Sequence, residues 1–436
     1  MLSRADADVI GRDSVLPGLR TVLDPDEFAA VLGRQVPELA AAAAPRIGYV
    51  RYKPGMSCLV GFHLAGSSTI PFVSAAAFHA DARAKLAKAQ ARPGRFVRVK
   101  QSLVITLFPH DDKLTALARL EDPERRPRLL TKLMPDRPEH WAAAVELIRY
   151  KPDRRYVAKL TIDKIPRALI KLYAPSGFDA AYRNARRFSA ESYHRPALIG
   201  ISGRRRALVW NWMPGQPLTD LIQKIQVPLS SVGSAGAALA ELHAQRSDDI
   251  PQRSRQTEAA SLVPVGEWLA HIHPEIAVQT RRLAQQLTNR IEQLPPQSRP
   301  LHGDFYANQV LVDGSRVAII DFDEAFAGDP AHDVGTFLAH LESNALRQHL
   351  AADRVRPVSE AFLNGYRDAA RHRITNDRVA LYTAAGLFRL AAHPFRARES
   401  HWPERTAALL ARSERLLGCV AGRVTVRVDE TTGLVR

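Results

Sequence analysis

Three carboxylates bracket one apolar hairpin in the stretch Leu301 to Glu324, which reads L-H-G-D-F-Y-A-N-Q-V-L-V-D-G-S-R-V-A-I-I-D-F-D-E. Alternation predicts two short strands, Gln309 to Val312 and Arg316 to Ile320, joined by Asp313-Gly314, a dipeptide that accepts the positive φ of a tight turn. Asp304 stands just before the first strand, and Asp321 and Asp323 follow the second. Closing the hairpin therefore gathers acids that are distant in sequence at one edge. Like charges so placed repel unless a cation lies among them, and a hard divalent ion such as magnesium is the usual partner of oxygen ligands. A solvated turn with scattered acids would explain a lone Asp-Gly hairpin, but not two acid sets at this spacing around it.

The elements that must position these acids lie on either side. Arg149-Tyr150 to Leu160 reads as a hairpin whose turn carries Lys151, Asp153, Arg154 and Arg155, and Ala168 to Tyr173 as a strand that places Lys171 in an apolar run. Ala207 to Met213 is a further strand, followed by the loop Pro214-Gly215-Gln216-Pro217-Leu218. Downstream, helical spacing covers Leu229 to Ala244, about Ile276 to Leu294, and segments near 334–351, 358–372, 377–393 and 403–418. The tail V-T-V-R-V-D-E-T-T-G-L-V alternates like a small hairpin. Residues 1 to 45 read as helical, with Asp24-Pro25-Asp26-Glu27 opening one helix and an Ala run at 40–44 ending the segment.

A repeat runs through the first half. Arg51-Tyr52-Lys53-Pro54 recurs as Arg149-Tyr150-Lys151-Pro152, 98 residues later, and Asp81-Ala82 falls on Asp179-Ala180 at the same offset, each expected to open a helix. L-V-I-T-L-F-P (103–109) is matched by L-V-W-N-W-M-P (208–214) at an offset of 105, and each ends in a Leu-Thr pair. The segment from Ile47 to about Leu120 is thus expected to form a mixed sheet with a helix. It carries no counterpart of Lys171, because the 98-residue offset lands on Val73.

The central stretch resembles the aminoglycoside phosphotransferase and choline kinase family, a branch of the protein-kinase-like fold. The match runs through His302-Gly303-Asp304, the hairpin, Ile320-Asp321-Phe322-Asp323, and Gly328-Asp329-Pro330 with Asp333. The resemblance implies a catalytic Asp304, a metal-binding Asp321 and a structural Asp333 supporting the loop. It also implies an amide ligand five residues after the catalytic Asp, where this chain has Gln309, with Asn308 one place early. Gln309 offers the same oxygen on a longer arm, as in maltokinase-like members, and is favoured. Asn308 stays as the alternative, turned away if it begins the strand.

By the same resemblance Lys171 holds nucleotide phosphates, with Lys159 as fallback, and Lys151 and Arg154 reach them from a turn that lacks the family's glycines. Trp212 and Met213 supply hinge backbone to adenine. The acid partner of Lys171 is open, since Asp179 and Glu191 are the only acids between it and the hinge. His243 is expected to pack rather than catalyse, and Glu324, Glu342, His393, Arg396 and Trp402 are candidate acceptor contacts.

The implied architecture is α+β and bilobal. It has a β-rich small lobe (126–225), a mainly helical large lobe (226–436), an N-terminal small-lobe-like cap (46–125) resembling that of maltokinase-like proteins and packed against the small lobe, and a helical segment (1–45).

Composition agrees with a folded cytoplasmic protein: 46% hydrophobic and 24% charged residues, no apolar run of membrane-spanning length, and no signal-peptide pattern. Two cysteines, Cys58 and Cys419, exclude a disulfide framework or a cysteine zinc cluster. The net charge of +16 calls for an anionic partner, but the arginines are spread along the chain without a nucleic-acid-binding signature. The expected activity is transfer of the γ-phosphate of ATP, with Mg²⁺, to the hydroxyl of a small molecule, foremost a sugar, amino sugar or aminoglycoside. A nucleotide-binding scaffold of the pseudokinase kind is the alternative.

Overall fold

The computed structural model describes residues 2–39, 45–64, 70–188, 195–246 and 250–422. Glu191, the Ala run at 40–44 and the expected C-terminal hairpin lie outside the described residues.

The chain begins with helices α1 (Arg4–Arg12), α2 (Leu19–Leu23) and α3 (Pro25–Gln35), followed by strands β1 (Arg46–Lys53), β2 (Ser57–His63) and β3 (Phe72–Phe78). Helix α4 (Arg83–Gln90) and strands β4 (Arg95–Arg98) and β5 (Leu103–Leu107) complete the first unit. A second unit follows with α5 (Leu117–Glu121), α6 (Arg126–Leu133), β6 (Ala144–Lys151), β7 (Arg155–Ile162), β8 (Ile165–Tyr173), α7 (Pro175–Phe188), β9 (Leu198–Ser202) and β10 (Ala207–Asn211). The two five-stranded sheets have the same order, β1-β2-β3-β5-β4 and β6-β7-β8-β10-β9. Every pairing in them is antiparallel, where sequence reading expected a mixed sheet.

The correspondence extends upstream of the strands. Asp24 caps α3 by accepting from the amides of Asp26 and Glu27, and 98 residues on Asp122 accepts from those of Glu124 and Arg125, with a proline after each acid. In the first unit Leu19, Val22 and Phe28 share a core with Val60, Phe62 and Ala75, Phe28 stacking on Phe62 at 3.9 Å. In the second, Leu117, Leu120 and Leu130 share one with Tyr156, Ala158 and Ile170. Packing therefore groups the helices before residue 45 with the first sheet, and α5 and α6 with the second.

Register corrects the expected offsets. Leu59 faces Ala76 where Val157 faces Lys171, so Ala76, not Val73, stands in place of Lys171. The connection between β2 and β3 is longer than that between β7 and β8, which shifts the alignment after the hairpin. Leu103 pairs with Ala77 as Ala207 pairs with Leu172, an offset of 104 rather than 105. A one-residue slip exchanges the faces of a strand, and the matched leucines indeed face opposite ways, Leu208 towards the cluster around α7 and Leu103 towards the core shared with α2. Asp179 and Ala180 lie within α7, not at its start.

The large lobe contains β11 (Gln216–Pro217), α8 (Leu218–Ile222), α9 (Leu229–His243), α10 (Arg255–Ala260), α11 (Leu262–Ile272), α12 (Ala277–Gln293), β12 (Arg299–Leu301), β13 (Val310–Asp313), β14 (Arg316–Ile319) and β15 (Phe326–Gly328). Helices α13 (Ala331–Leu346), α14 (Val355–Ala369), α15 (Asn376–Leu390), α16 (His393–Arg396) and α17 (Trp402–Gly422) follow. The acid-flanked hairpin forms as β13 and β14, and β11 pairs with β13 where the chain crosses between lobes. The core of the first unit runs on into α11, α12, α15 and α17, and Trp268 Nε1 donates to the Tyr52 carbonyl at 3.1 Å. The first unit thus rests on the large lobe as well as on the second sheet, to which it was expected to pack.

Candidate active site

Asp304 follows a tight turn held from beneath. Gly303 has φ +82°, and a Cβ there would lie 2.2 Å from the Glu324 carbonyl oxygen, so only glycine fits. The buried carboxylate of Asp333 accepts from the backbone amides of His302 at 2.6 Å and Gly303 at 2.9 Å, and from His243 Nε2 at 3.1 Å. His243 Nδ1 then accepts from the Tyr366 hydroxyl at 2.8 Å. His302 is fixed in turn: Nδ1 accepts from the Asp304 amide and Nε2 donates to the Ile320 carbonyl, tying the loop to the end of β14. Asp304 itself opens to the cleft. The protein around it raises its pKa, the charges of Asp321 and Glu324 adding to this and His302 and Lys151 opposing it.

The hairpin ends at Asp321, a non-glycine residue with φ +67°, which turns the following Phe322 into the large-lobe core. Lys171 Nζ lies 2.5 Å from Asp321 Oδ1 and 3.1 Å from Asp323 Oδ1. Arg155 Nη1 lies 3.3 Å from Asp321 and 2.6 Å from Asp323, and the Tyr173 hydroxyl reaches both oxygens of Asp323 at 3.1 Å. Burial pushes the Asp321 pKa up, but Lys171 and Arg155 outweigh it and hold the carboxyl well below the ordinary range. At Asp323 burial and the neighbouring Asp321 charge prevail over the same two cations and raise the pKa. Helix α7 offers no acid here; its buried Asn184 donates to the carbonyls of Asp323 and Ala325.

These residues line one cavity of about 430 Å³ between the second sheet and the hairpin. Its lining combines apolar side chains, Val157, Leu169, Trp210, Leu311 and Ile320, with the charged groups of Lys151, Arg155, Lys171, Asp304, Asp321 and Asp323, Lys171 standing 4.9 Å from the Trp210 ring. Such a mixture suits a ligand with a flat apolar part and a polyanionic part. Trp212 donates its amide to the Arg167 carbonyl at 3.0 Å, and Trp212 and Met213 both line the cavity. Lys151 has no ion-pair partner among the described residues. Burial, then Arg149, Arg155 and Arg154, lower its pKa to about 7, with Asp304 opposing.

The model of the phosphotransferase enzyme family matches residues 149–382, more than half of the chain. The chain belongs to that phosphotransferase family. Among solved structures, the choline kinase of Cryptosporidium parvum Iowa II is 13% identical with a TM-score of 0.52, covering 70% of this chain and 97% of the other. A choline/ethanolamine kinase family protein of Mesorhizobium loti is 14% identical with a TM-score of 0.49, covering 68% and 98%. An aminoglycoside phosphotransferase, APH(4)-Ia, in ternary complex with ADP and hygromycin B, is 15% identical with a TM-score of 0.49, covering 67% and 97%. No curated protein matches. The phosphotransferase thus has the bilobal α+β fold that the sequence pointed to, and is a kinase-type enzyme.

The structure distributes the expected site residues unevenly. Asp304, Asp321, Lys171, Lys151, Trp212, Met213, Asn308 and Gln309 all line the cavity. Asn308 and Gln309 sit in a 3₁₀ turn, Ala307–Gln309, before the strand begins at Val310. The alternation that would have turned Asn308 away therefore does not apply, and both amides face the cavity, Gln309 buried and Asn308 exposed. Arg154 is exposed outside the lining, and Arg155, the first residue of β7, takes the place expected of it. Lys159 pairs with Glu146 at 3.3 Å, and Asp179 is exposed on α7. The partner sought for Lys171 upstream of the hinge is the Asp-Phe-Asp motif itself.

Among the acceptor candidates, Glu342 is held by Arg412, and Trp402 is buried with its Nε1 on Asp6. Arg396 lies over the Trp268 ring at 4.9 Å. Glu324 stands near Asp304, whose pKa it raises, and His393 feels the charge of Lys151. Sequence reading missed Tyr306, which stacks on His340 at 4.2 Å beside Asp304.

The donor set fits magnesium. Asp321 and an amide oxygen of Gln309 or Asn308 are hard oxygen ligands on one cavity wall. Among the described residues no group of three or more His, Cys, Asp or Glu side chains could hold a metal alone. Such a site needs phosphate oxygens to complete it, as magnesium at nucleotides does.

Proposed function

We propose that the protein transfers the γ-phosphate of ATP to a hydroxyl of a small sugar-like molecule. The observation that carries this reading is the convergence of Asp304, Asp321, Lys171 and Gln309 on one cavity that is also lined by apolar side chains and by Trp212 and Met213. The hydroxyl oxygen attacks the γ-phosphorus, the bond to the bridging β,γ-oxygen breaks, and ADP carries away the leaving electron pair. Asp304 accepts the hydroxyl proton, and its raised pKa makes it a stronger base that is still ionised above that pKa. Lys171, Lys151 and Arg155 hold phosphate oxygens. Magnesium, when bound at Asp321 and Gln309 or Asn308, neutralises charge on the phosphates. Rate depends mainly on positioning, so the Asp333 network beneath the turn serves turnover directly.

Charge narrows the acceptor class. Near Asp304 stand Lys151, whose charge lowers the Asp304 pKa, and, beside Lys151 and Tyr306, the imidazoles of His393 and His340, which burial lowers to about 4 and about 3 and so keeps neutral. Glu342 and Glu399 are neutralised by arginines. Glu324, exposed and without an ion pair among the described residues, is the carboxylate left here to meet a cationic group, which favours a neutral or mono-amino sugar over a polycationic aminoglycoside.

One observation favours a second reading, a nucleotide-binding scaffold with little turnover: Lys171 and Arg155 already occupy Asp321, the carboxylate that would meet a metal, as well as Asp323. A thermal-shift measurement with and without Mg-ATP, followed by an ADP-release screen over neutral sugars, sugar acids, amino sugars and aminoglycosides, separates the two. Turnover on any of them supports the kinase; binding without turnover on all supports the scaffold.

A further inference from the structure

The end of the strand that carries Lys151 lies between the cleft and the first unit. Lys151 and Arg149 line the nucleotide cavity, and both also border a second cavity shared with Phe72 and Phe108. Tyr150 and Pro152 contact the first unit. The Tyr150 ring lies 6.0 Å from Phe72 and 5.4 Å from Phe108, both edge-on. Pro152 is seated on Gly61 of β2 so closely that a Cβ at position 61 would come within 3.2 Å of its Cγ. Asp153, next in the turn, pairs with Arg51 of β1 at 3.8 Å and with Lys113 at 3.0 Å. Asp111, in the link between units, accepts from the Tyr150 hydroxyl at 3.0 Å and the Asp153 amide at 2.8 Å.

The first unit contains the same device without this docking. Asp13 accepts from the Tyr52 hydroxyl at 2.6 Å and the Gly55 amide at 2.9 Å. Gly55, with φ +67°, stands where the second unit has Asp153, with φ +60°. Glycine adopts this conformation at no steric cost, whereas aspartate does not. The second copy therefore keeps a strained residue whose carboxylate makes the two ion pairs, one of them to the first unit.

We propose that the first unit is a splint for the phosphate end of the cleft: by seating Pro152 on Gly61, clasping Tyr150 and pairing with Asp153, it fixes where Lys151 stands and so sets nucleotide affinity. This rests on the reading of the cavity as a nucleotide site. A turn pinned along its outer face cannot fold down over phosphates as a glycine-rich loop does, so contact falls to side chains whose origin must be held in place. Gly61, Arg51 and Asp153 are positioning residues in this account; none of them touches the cavity.

The test is calorimetric titration of the full chain with Mg-ATP, with steady-state kinetics and urea midpoints alongside. Gly61→Val should weaken binding by about fivefold or more and raise the KM for ATP, with kcat changed by less than about twofold, while crowding this buried seat also lowers the folding midpoint. Gly61→Ala should do the same more weakly. Adding Pro152→Ala to Gly61→Val removes the ring that the new side chain meets and should restore affinity. Should Gly61→Val fail to fold, Arg51→Ala, which removes a half-exposed ion pair, should still weaken binding by about twofold. Wild-type affinity in a folded Gly61→Val, no rescue by Pro152→Ala, or an unchanged Arg51→Ala overturns the splint. Failure of the wild type itself to bind Mg-ATP overturns the nucleotide reading instead, so the two failures are distinguishable.

Discussion

The two sheets share strand order, helix placement and an Asp-Tyr clasp at the first turn, yet among the described residues it is the second that lines the cavity facing the acid-flanked hairpin. Where the second has Lys171 and Arg155, the first has Ala76 and Ser57. Trp210, which lines the cavity and whose ring lies 4.9 Å from Lys171 Nζ, corresponds to Thr106. Backbone topology alone confers no chemistry. The site comes from a few cations set on one sheet opposite the acids of a hairpin, and the other sheet keeps the fold while lending its surface to packing.

The largest effect that would sharpen this contrast lies at Asp304. Asp304→Asn should lower kcat by about three orders of magnitude while leaving Mg-ATP affinity within about twofold, since the change removes the proton acceptor but not a phosphate contact. Wild-type turnover on the true acceptor would remove Asp304 from the mechanism.

Next, Lys171→Ala should weaken Mg-ATP binding by about tenfold or more, whereas Ala76→Ser at the equivalent place in the first sheet should leave it unchanged. Equal effects at the two positions would break the comparison.

A smaller effect concerns pH. Lys151 stands at about 7 in the free protein, so at pH 8 it is largely neutral, and phosphate charge brought beside it raises its pKa. Binding of Mg-ATP at pH 8 should therefore take up a proton, and affinity should fall as pH rises through about 7 and beyond. Calorimetry in buffers of different ionisation enthalpy reads the uptake directly; Lys151→Met should abolish it.

Smallest is the division of the amide ligand. Gln309→Ala should raise the magnesium concentration for half-maximal rate by about threefold, and Asn308→Ala by less, because one neutral oxygen adds modestly to a site that also has Asp321. The opposite ranking assigns the role to Asn308.

The hairpin, the bracketing of β13 and β14 by acids, and α9, α12 to α15 and α17 were legible because each has a local signal: a turn dipeptide, a bracketing residue, a period. Helices α10 and α11, with Trp268 against the first unit, were not read. What escaped was set by register and by contacts between distant segments. The Ala76 assignment depended on a longer connection in one hairpin. Arg155 was assigned to a turn when it begins a strand, and its partners lie at 321 and 323. The missing acid for Lys171 was sought on the helix after its strand, where α7 supplies Asn184 instead. The upstream half of the repeat did have a signal, Asp24-Pro25 against Asp122-Pro123 at the same offset of 98, but in helices whose matched residues are otherwise mostly interchangeable aliphatics.

The central claim, that only the second sheet forms a working nucleotide site, is tested most directly by the stoichiometry of Mg-ATP binding to the full chain. Calorimetry should give one site per chain, lost on Asp321→Ala and unmoved by Ala76→Ser. Two sites per chain, or an isotherm that Asp321→Ala leaves intact, would contradict it.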